Sequence, residues 1–489
     1  MSHRDTVDVT EADPPSSTAA TADVPPGEPS RPPGRTRPDF AVSSLSLAAA
    51  SLINGVLGLV FWAAAAHSYT VSEVGRGSAA ISTATMLAAL ANLSLGGMYE
   101  RFLPVAGRRA RPAIAASSAL AFALALVLAA GFVLIGPSER ILTTPLERWS
   151  FPLFVGALSA FALHDNLLVG LHLARWAALK NVVHAVVKLG LVIALGATAT
   201  GFSIVVAWIV PAAVMAVAVL VWVFGWWLRR PEYAADPDLP PNRELWHFFG
   251  STYGLTVIAS LPALVTPLVV VQSLGTEANG YFTMAWTLSS ALLLLLGTVV
   301  GPFIAEASTD PSRLGPLLRR FVLLMGAVAG GGALFLLVGA PIVLGWLGKD
   351  YGQEGRDLTR IMAAGLLLTA VPVLYGALAR IHRKLRLAVV LQTVVTIAQI
   401  TGCLLLVPRL GVPGVGVSYV IAEVAAAMIV AVPLVRWVRE SGAFSGHHVG
   451  HHTGHHGGRH RLRPGGPAQP VPQSQPVPPG PVPPSQKEA

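Results

Sequence analysis

The stretch from Leu52 to Pro104 reads LINGVLGLVFWAAAAHSYTVSEVGRGSAAISTATMLAALANLSLGGMYERFLP. Two apolar runs flank a short polar turn, and the second run stops abruptly at Glu100 and Arg101. Each run suits one membrane-crossing helix, which needs about 20 apolar residues. The turn holds Thr70, Ser72, Glu73, Gly75, Arg76 and Gly77, small and polar types that mark a chain reversal at a surface. A pair of spans joined by a tight turn is therefore the predicted unit. The same design recurs as far as residue 437.

Composition extends this reading to the whole chain. Of 489 residues, 53% are hydrophobic and only 12% charged, where a soluble protein carries about 25% charged residues. Such a deficit places most of the chain in lipid. Twelve helices are predicted, at about 42–66, 76–98, 112–136, 150–172, 181–199, 202–228, 246–272, 279–304, 321–346, 359–379, 387–408 and 412–436. The fold class expected is an all-α polytopic membrane protein, with two six-helix lobes around a central cavity. The first lobe would span 42–228 and the second 246–437, joined by a linker at 229–245. Residues 1–41 and 438–489 are polar and rich in Pro, Gly, Ser or His, a composition too poor in apolar groups to fold. They read as disordered cytoplasmic tails. The single cysteine, Cys403, excludes an intrachain disulfide.

Charge sets the orientation. Alternate connections, beginning with the N-terminal tail, hold about 21 Lys and Arg, against about 7 in the others. This bias puts the richer side, and both termini, in the cytoplasm, and it requires an even number of spans. The loop with Lys349, Arg356 and Arg360 runs against the trend, although Asp350, Glu354 and Asp357 balance it electrically. The net charge of +9 reflects these arginines, so the partner implied is the bilayer rather than nucleic acid.

The halves also resemble each other. The turn TVSEVGRG, Thr70 to Gly77, matches LGTEANGY, Leu274 to Tyr281, in place and character. Some 25 residues beyond each turn's glycine the apolar run ends at an acid, Glu100 or Glu306. Halves of six spans enter the membrane in the same sense, a common arrangement among transporters.

Charged groups within lipid cost a few kcal/mol each, so every one needs a reason. His164, Asp165 and Asn166 interrupt the fourth span, His184 and Lys188 the fifth, and Glu423 the twelfth. Counting from the predicted helix ends places Asp165 and Lys188 at equal depth, so they are expected to face each other or a shared hydrated cavity. His184 lies one turn from Lys188 on the same face. Lys188, Asp165, His164, Asn166, His184 and Arg101 are the candidate substrate-contacting residues. Glu423 and Asp165 are the candidates for carrying a coupling ion. No metal site is expected in the membrane. The tail doublets His447, His448, His451, His452, His455 and His456 are the only metal-ligand candidates, and they lack a scaffold. Asp236-Pro-Asp238 sits in a loop too short to form a catalytic domain. The chain has no Walker A, HExxH or GxSxG sequence. The expectation is a non-enzyme without cofactor, whose work is relocation.

The run FWAAAAHSYTVSEVGRGSAAIST (Phe61–Thr83), with LSLGGMYERFLP (Leu93–Pro104), resembles the start of bacterial polysaccharide exporters of the Wzx kind. These belong to the multidrug/oligosaccharidyl-lipid/polysaccharide (MOP) flippase superfamily. The resemblance implies twelve helices in two lobes, opening alternately to each side. Its implied cargo is an undecaprenyl-pyrophosphate-linked oligosaccharide, moved between leaflets of the bacterial plasma membrane for surface polysaccharide synthesis, with glycan-assembly enzymes as partners. It marks Val74-Gly75 and Arg101-Phe102-Leu103-Pro104, and no catalytic residue. Relatives that flip peptidoglycan precursors, lipid II-type flippases, have fourteen spans and arginines in their early helices. Multidrug exporters use acidic cation sites, and the first, seventh and tenth spans here carry no Asp or Glu. A cation-coupled small-molecule exporter is the alternative reading. A polytopic glycan polymerase would need a large outward loop, and the longest one here is about 14 residues.

Overall fold

The computed structural model describes residues 53 to 441, apart from 54, 93–94, 199, 238, 240–241, 310–313, 383 and 385. The N-terminal tail and the histidine-rich tail lie outside these residues. Among the described residues every regular element is helical. In the first half these are α1 (Gly55–Ser68), α2 (Val71–Ala91), α3 (Leu95–Phe102), α4 (Ala110–Ile135), α5 (Pro145–Gly170), α6 (Ala174–Ala194) and α7 (Gly201–Gly225). In the second they are α8 (Asn242–Leu274), α9 (Thr276–Thr298), α10 (Val300–Thr309), α11 (Leu314–Leu334), α12 (Ala340–Leu347), α13 (Lys349–Glu354), α14 (Arg356–Ile381), α15 (Arg386–Leu410) and α16 (Pro413–Glu440). Among the described residues ten helices are long and apolar enough to cross a membrane. The bent pair α2–α3 brings this to as many as eleven, and α1 is a shorter apolar helix within the described residues.

Several boundaries differ from the sequence reading, among them the start of α11, seven residues earlier than expected, and three of them position the site. The second span does not run straight to Glu100. It breaks after Asn92, and α3 leaves at 52° to α2. Asn92 is held at that break by Ser159, whose hydroxyl donates to its Oδ1 at 2.6 Å. The fourth span starts at Pro145 because Thr144 and Glu147 form a reciprocal capping box there. The fifth span starts at Ala174, not near 181, so Lys180 belongs to the helix and not to a loop.

The two turns matched in the sequence meet in space. α2 packs along α9, and the closest approach is at two glycines. A Cβ on Gly75 would lie 1.7 Å from the Thr276 carbonyl oxygen, and one on Gly280 would lie 2.4 Å from that of Val71. No side chain fits at either point, so only glycine allows this backbone contact. The close approaches of Gly75 to Thr276 and of Gly280 to Val71 are reciprocal at an offset of 205 residues, and Ser78 and Thr283, also 205 apart, touch through their hydroxyls at 2.6 Å, while Ser72 and Thr276, at the same place in the matched turns, lie 204 apart. A residue that touches its own counterpart lies on a pseudo-two-fold axis. Reciprocal contacts around such an axis are what two like-oriented repeats generate.

Polar side chains close the same seam. Asn279, fully buried, donates from Nδ2 to the Gly75 carbonyl at 2.7 Å and to Ser78 Oγ at 2.8 Å. Ser72 and Thr276 share a hydrogen bond of 2.7 Å. Hydrogen bonds between helices in lipid contribute about 0.6–2 kcal/mol each. Beside them Arg140 Nη1 donates to the Gln272 carbonyl at 2.7 Å, and Gln272 Nε2 returns a bond of 2.8 Å to the Pro137 carbonyl. Within the first half, Arg76 gathers Glu73 at 2.5 Å, Glu147 at 3.5 Å and the Thr143 hydroxyl, while Glu73 also accepts from the Gly201 amide. This ion cluster ties together the ends of α2, α5 and α7. All these contacts lie at the end of the bundle that is poor in Lys and Arg.

At the basic end the connection after α7 docks back on the turn before α4. Arg108 donates its amide to the Ala235 carbonyl at 2.9 Å and pairs with Asp236 at 3.0 Å. Asp236 is thus an ion-pair partner of an arginine.

Oxidation of a Ser72→Cys/Thr276→Cys pair should cross-link the two halves efficiently. Adding Gly75→Val should reduce the cross-link yield severalfold, because its branched side chain forces α2 off α9. Gel mobility of the purified chain after proteolysis between the halves reads both outcomes.

Candidate functional site

α5 and α6 run antiparallel through a turn at Leu171–Leu173, so their facing ends sit at the same level. Asp165 lies about 8 Å from the end of α5, and Lys180 about 9 Å from the start of α6. They meet. Lys180 Nζ is 2.8 Å from Asp165 Oδ1 and donates to the Phe161 carbonyl at 2.7 Å. It also stands 3.6 Å from the centre of the Phe161 ring. Asn181 Nδ2 donates a second hydrogen bond to Asp165 Oδ1, at 3.0 Å. The expected Asp165–Lys188 pairing is therefore corrected. Because α6 begins earlier than predicted, Lys188 lies about 21 Å along it, two turns beyond Asp165's level.

Lys188 finds aromatic rings there instead. Its Nζ is 3.3 Å from the centroid of a Trp208 ring and 5.2 Å from that of Phe61. The residue is 6% exposed, and among the described residues no carboxylate lies within ion-pairing distance. A cation over an indole face gains about 2 kcal/mol when desolvated. That offsets only part of the cost of an unpaired charge in a lipid-embedded bundle.

His184 links the two lysines. Its Nε2 is 2.9 Å from the Trp208 carbonyl, which can only accept, so that nitrogen carries the proton. Its ring packs on Phe161 at 4.7 Å. Lys180, His184 and Lys188 thus form a stripe of three nitrogen bases on one face of α6, one turn apart, each buried. They face α5, α7 and α1, in the interior of the first half. The sequence reading found His184 and Lys188 but assigned Lys180 to a loop. The four-residue spacing in LKNVVHAVVK was the signal that identifies all three. Trp208, Phe61 and Phe161 were missed because nothing in their own runs distinguishes them from other apolar residues.

The remaining candidates scatter. His164 is fully buried, and neither ring nitrogen has a hydrogen-bond partner. An unmade bond to a buried polar atom costs about 1–3 kcal/mol. Asn166 turns away from the lysines and donates to Glu100 Oε1 at 2.7 Å, which holds α3 against α5. Arg101 lies exposed at the basic end, beside the Phe102 ring at 5.3 Å. Glu423 lies in the second half, buried on α16 beside the hydroxyls of Tyr419 and Thr369, and its Oε2 has no hydrogen-bond partner. No single site joins all the predicted residues. Asp165, His184 and Lys188 share one cluster, into which the structure adds Lys180, Asn181 and three aromatic rings.

No protein-family model matches this sequence, and no curated protein matches it. Solved structures do. An inward-facing multidrug-resistance MATE transporter of the MOP superfamily superposes with a TM-score of 0.60 at 15% identity, over 83% of this chain and 99% of the other. The lipid II flippase MurJ in an inward closed conformation gives 0.60 at 12% identity, over 81% and 90%. An outward-facing MATE transporter gives 0.51 at 14% identity, over 82% and 96%. The fold is the two-lobed, all-helical fold of these transporters, with about twelve helices.

Replacing Asp165 with Asn should lower the unfolding free energy by about 1–3 kcal/mol, because Lys180 is left buried without a carboxylate. Asp165→Asn combined with Lys180→Met should recover most of that loss. Thermal unfolding in detergent followed by tryptophan fluorescence separates the two.

Proposed function

We propose that this chain is a membrane transporter that moves a lipid-linked oligosaccharide from the inner to the outer leaflet of a bacterial plasma membrane, with both termini in the cytoplasm. The observation that carries the reading is Lys188. A cation held deep in the bundle over two aromatic rings, with no carboxylate beside it, fits an anion that arrives from outside the chain. The phosphates of a prenyl-pyrophosphate headgroup have that chemistry. The neighbouring His184 and Lys180 add donors along the same stripe, and aromatic faces beside them suit the apolar face of a sugar ring. The prenyl tail needs no cavity, because it stays in lipid.

Alternating access comes from the two halves rocking about the seam. The contact of α2 with α9 closes the arginine-poor end, and the higher similarity to inward-facing relatives supports a conformation shut toward the outside. Fuel follows from charge. An anion carrying about two charges gains roughly 4–5 kcal/mol on leaving a negative interior at 100 mV. Glycan-assembly enzymes would deliver the cargo at the basic end, where Arg101 and its neighbours attract phosphate.

A second reading rests on Glu423. A buried carboxylate with one unpartnered oxygen suits a cation-coupled small-molecule exporter, in which Glu423 or Asp165 carries the coupling ion. Among the described residues no carboxylate lies beside Lys188, which favours the anionic cargo.

In proteoliposomes loaded with a fluorescent prenyl-pyrophosphate oligosaccharide, Lys188→Met should slow flipping by about 10- to 100-fold, the loss of one charge-assisted bond. Lys188→Arg should retain most of it. Full activity in Lys188→Met would remove the residue from the mechanism. Drug sensitivity of a deletion strain whose surface glycan stays intact would favour the exporter.

A further inference from the structure

The basic end of the second half holds a groove that the transport reading does not use. Its floor is aromatic. Tyr375 of α14 and Trp437 of α16 stack with centroids 5.3 Å apart and planes 5° from parallel. Both are buried. His382 also packs on Trp437, with ring centroids 4.7 Å apart. The chain then turns, fixed by the Lys384 amide donating to the Ala379 carbonyl at 2.9 Å. That turn sets Lys384 at the rim, with its Nζ 6.0 Å from the Trp437 ring. Arg386 opens α15 beside it, and Arg436 of α16 faces them across a space of about 620 Å³. Glu440 pairs with Arg436 at 2.8 Å. Among the described residues three cations and one carboxylate line the groove, an excess of two positive charges.

A second, open groove of about 510 Å³ adjoins it and shares Val432, Arg436 and Glu440. Its other walls are Ala431, Val435 and the side chain of Arg439, so its surface is mainly apolar, and Val432 is 78% exposed. A basic pocket thus continues directly into an apolar trough on the lipid-facing side of α16. A free inorganic anion would match only the first part. A molecule with a phosphate head and an acyl chain matches both.

We propose that this paired groove binds one anionic phospholipid of the cytoplasmic leaflet. Lys384, Arg386 and Arg436 take the phosphate, and an acyl chain lies along Val432 and Val435. Basic pockets between membrane helices on the cytoplasmic side suit such headgroups, and each cation near the surface contributes to their attraction. The bound lipid sits across the start of α15 and the end of α16, over the core that Leu387, Leu391, Leu434 and Trp437 form there. The site is separate from the stripe on α6, so it stands whatever the cargo.

Native mass spectrometry of the full chain in a neutral detergent tests this, with phosphatidylglycerol and phosphatidylcholine offered together. Phosphatidylglycerol should be retained in preference by roughly tenfold or more. Lys384→Ala/Arg386→Ala should abolish the preference, and Lys384→Arg should keep it. Arg319→Ala/Arg320→Ala, which removes the same charge from an exposed stretch of α11, should also keep it. Equal retention of the two lipids by the native chain overturns the site. So does an equal loss in the α11 variant, which would mean that general charge attraction is at work. Displacement of phosphatidylglycerol by an excess of inorganic phosphate overturns the assignment to a lipid.

Discussion

Two helices from different halves approach so closely at Gly75 and Gly280 that their backbones touch, and everything else in the fold is arranged around that contact. In lipid there is no hydrophobic force between helices, so association relies on close packing and on polar groups that find partners. The seam supplies both. Glycine removes the obstacle, and Asn279, Ser78, Thr283, Ser72 and Thr276 bond across it. The approaches of Gly75 to Thr276 and of Gly280 to Val71 are reciprocal, so each half presents a similar surface to the other. A seam built from small residues and short side chains, with few long interlocking ones, can part and close again at modest cost. This is the property that rocking halves require.

The first half is bound internally by a different means. Arg76 with Glu73 and Glu147 fastens the outer ends of its helices, and Lys180 with Asp165 fastens α5 to α6 near the other end. Between these two ion clusters Lys188 stands over Trp208 and Phe61, with no carboxylate beside it among the described residues. Charge in a bilayer is costly, so the contrast between two compensated clusters and one uncompensated cation carries information about function. The second half differs in kind. Its buried ionisable group, Glu423, is an acid set among hydroxyls. The halves share a scaffold but not a polar interior.

Much of this was legible in the chain itself. Low charge and long apolar runs gave the helices, and the likeness of TVSEVGRG to LGTEANGY pointed to the pair of turns that form the seam. The cluster on α6 was only partly legible. Its helix begins a full two turns before the apolar run does, because Ala174 to Lys180 are helical although they include Arg175 and Trp176. Apolarity marks where lipid begins and says little about where a helix begins. That shift moved Lys188 two turns away from Asp165 and put Lys180 in its place. Glu147 illustrates the same limit. It reads as a loop acid, but a capping box with Thr144 draws it into the helix and against Arg76. The aromatic partners of Lys188 come from α1 and α7, and no pattern local to either helix announces them.

In the proposed transport the seam between α2 and α9 opens and closes as cargo moves. Spin labels at Ser72→Cys and Ser273→Cys, in a Cys403→Ala chain reconstituted in lipid, report the distance across it by pulsed electron resonance. The account predicts two populations, a short distance with the seam closed and a longer one with it parted, whose ratio changes when lipid-linked oligosaccharide is added. A single short distance, unchanged by cargo or by membrane potential, would contradict it.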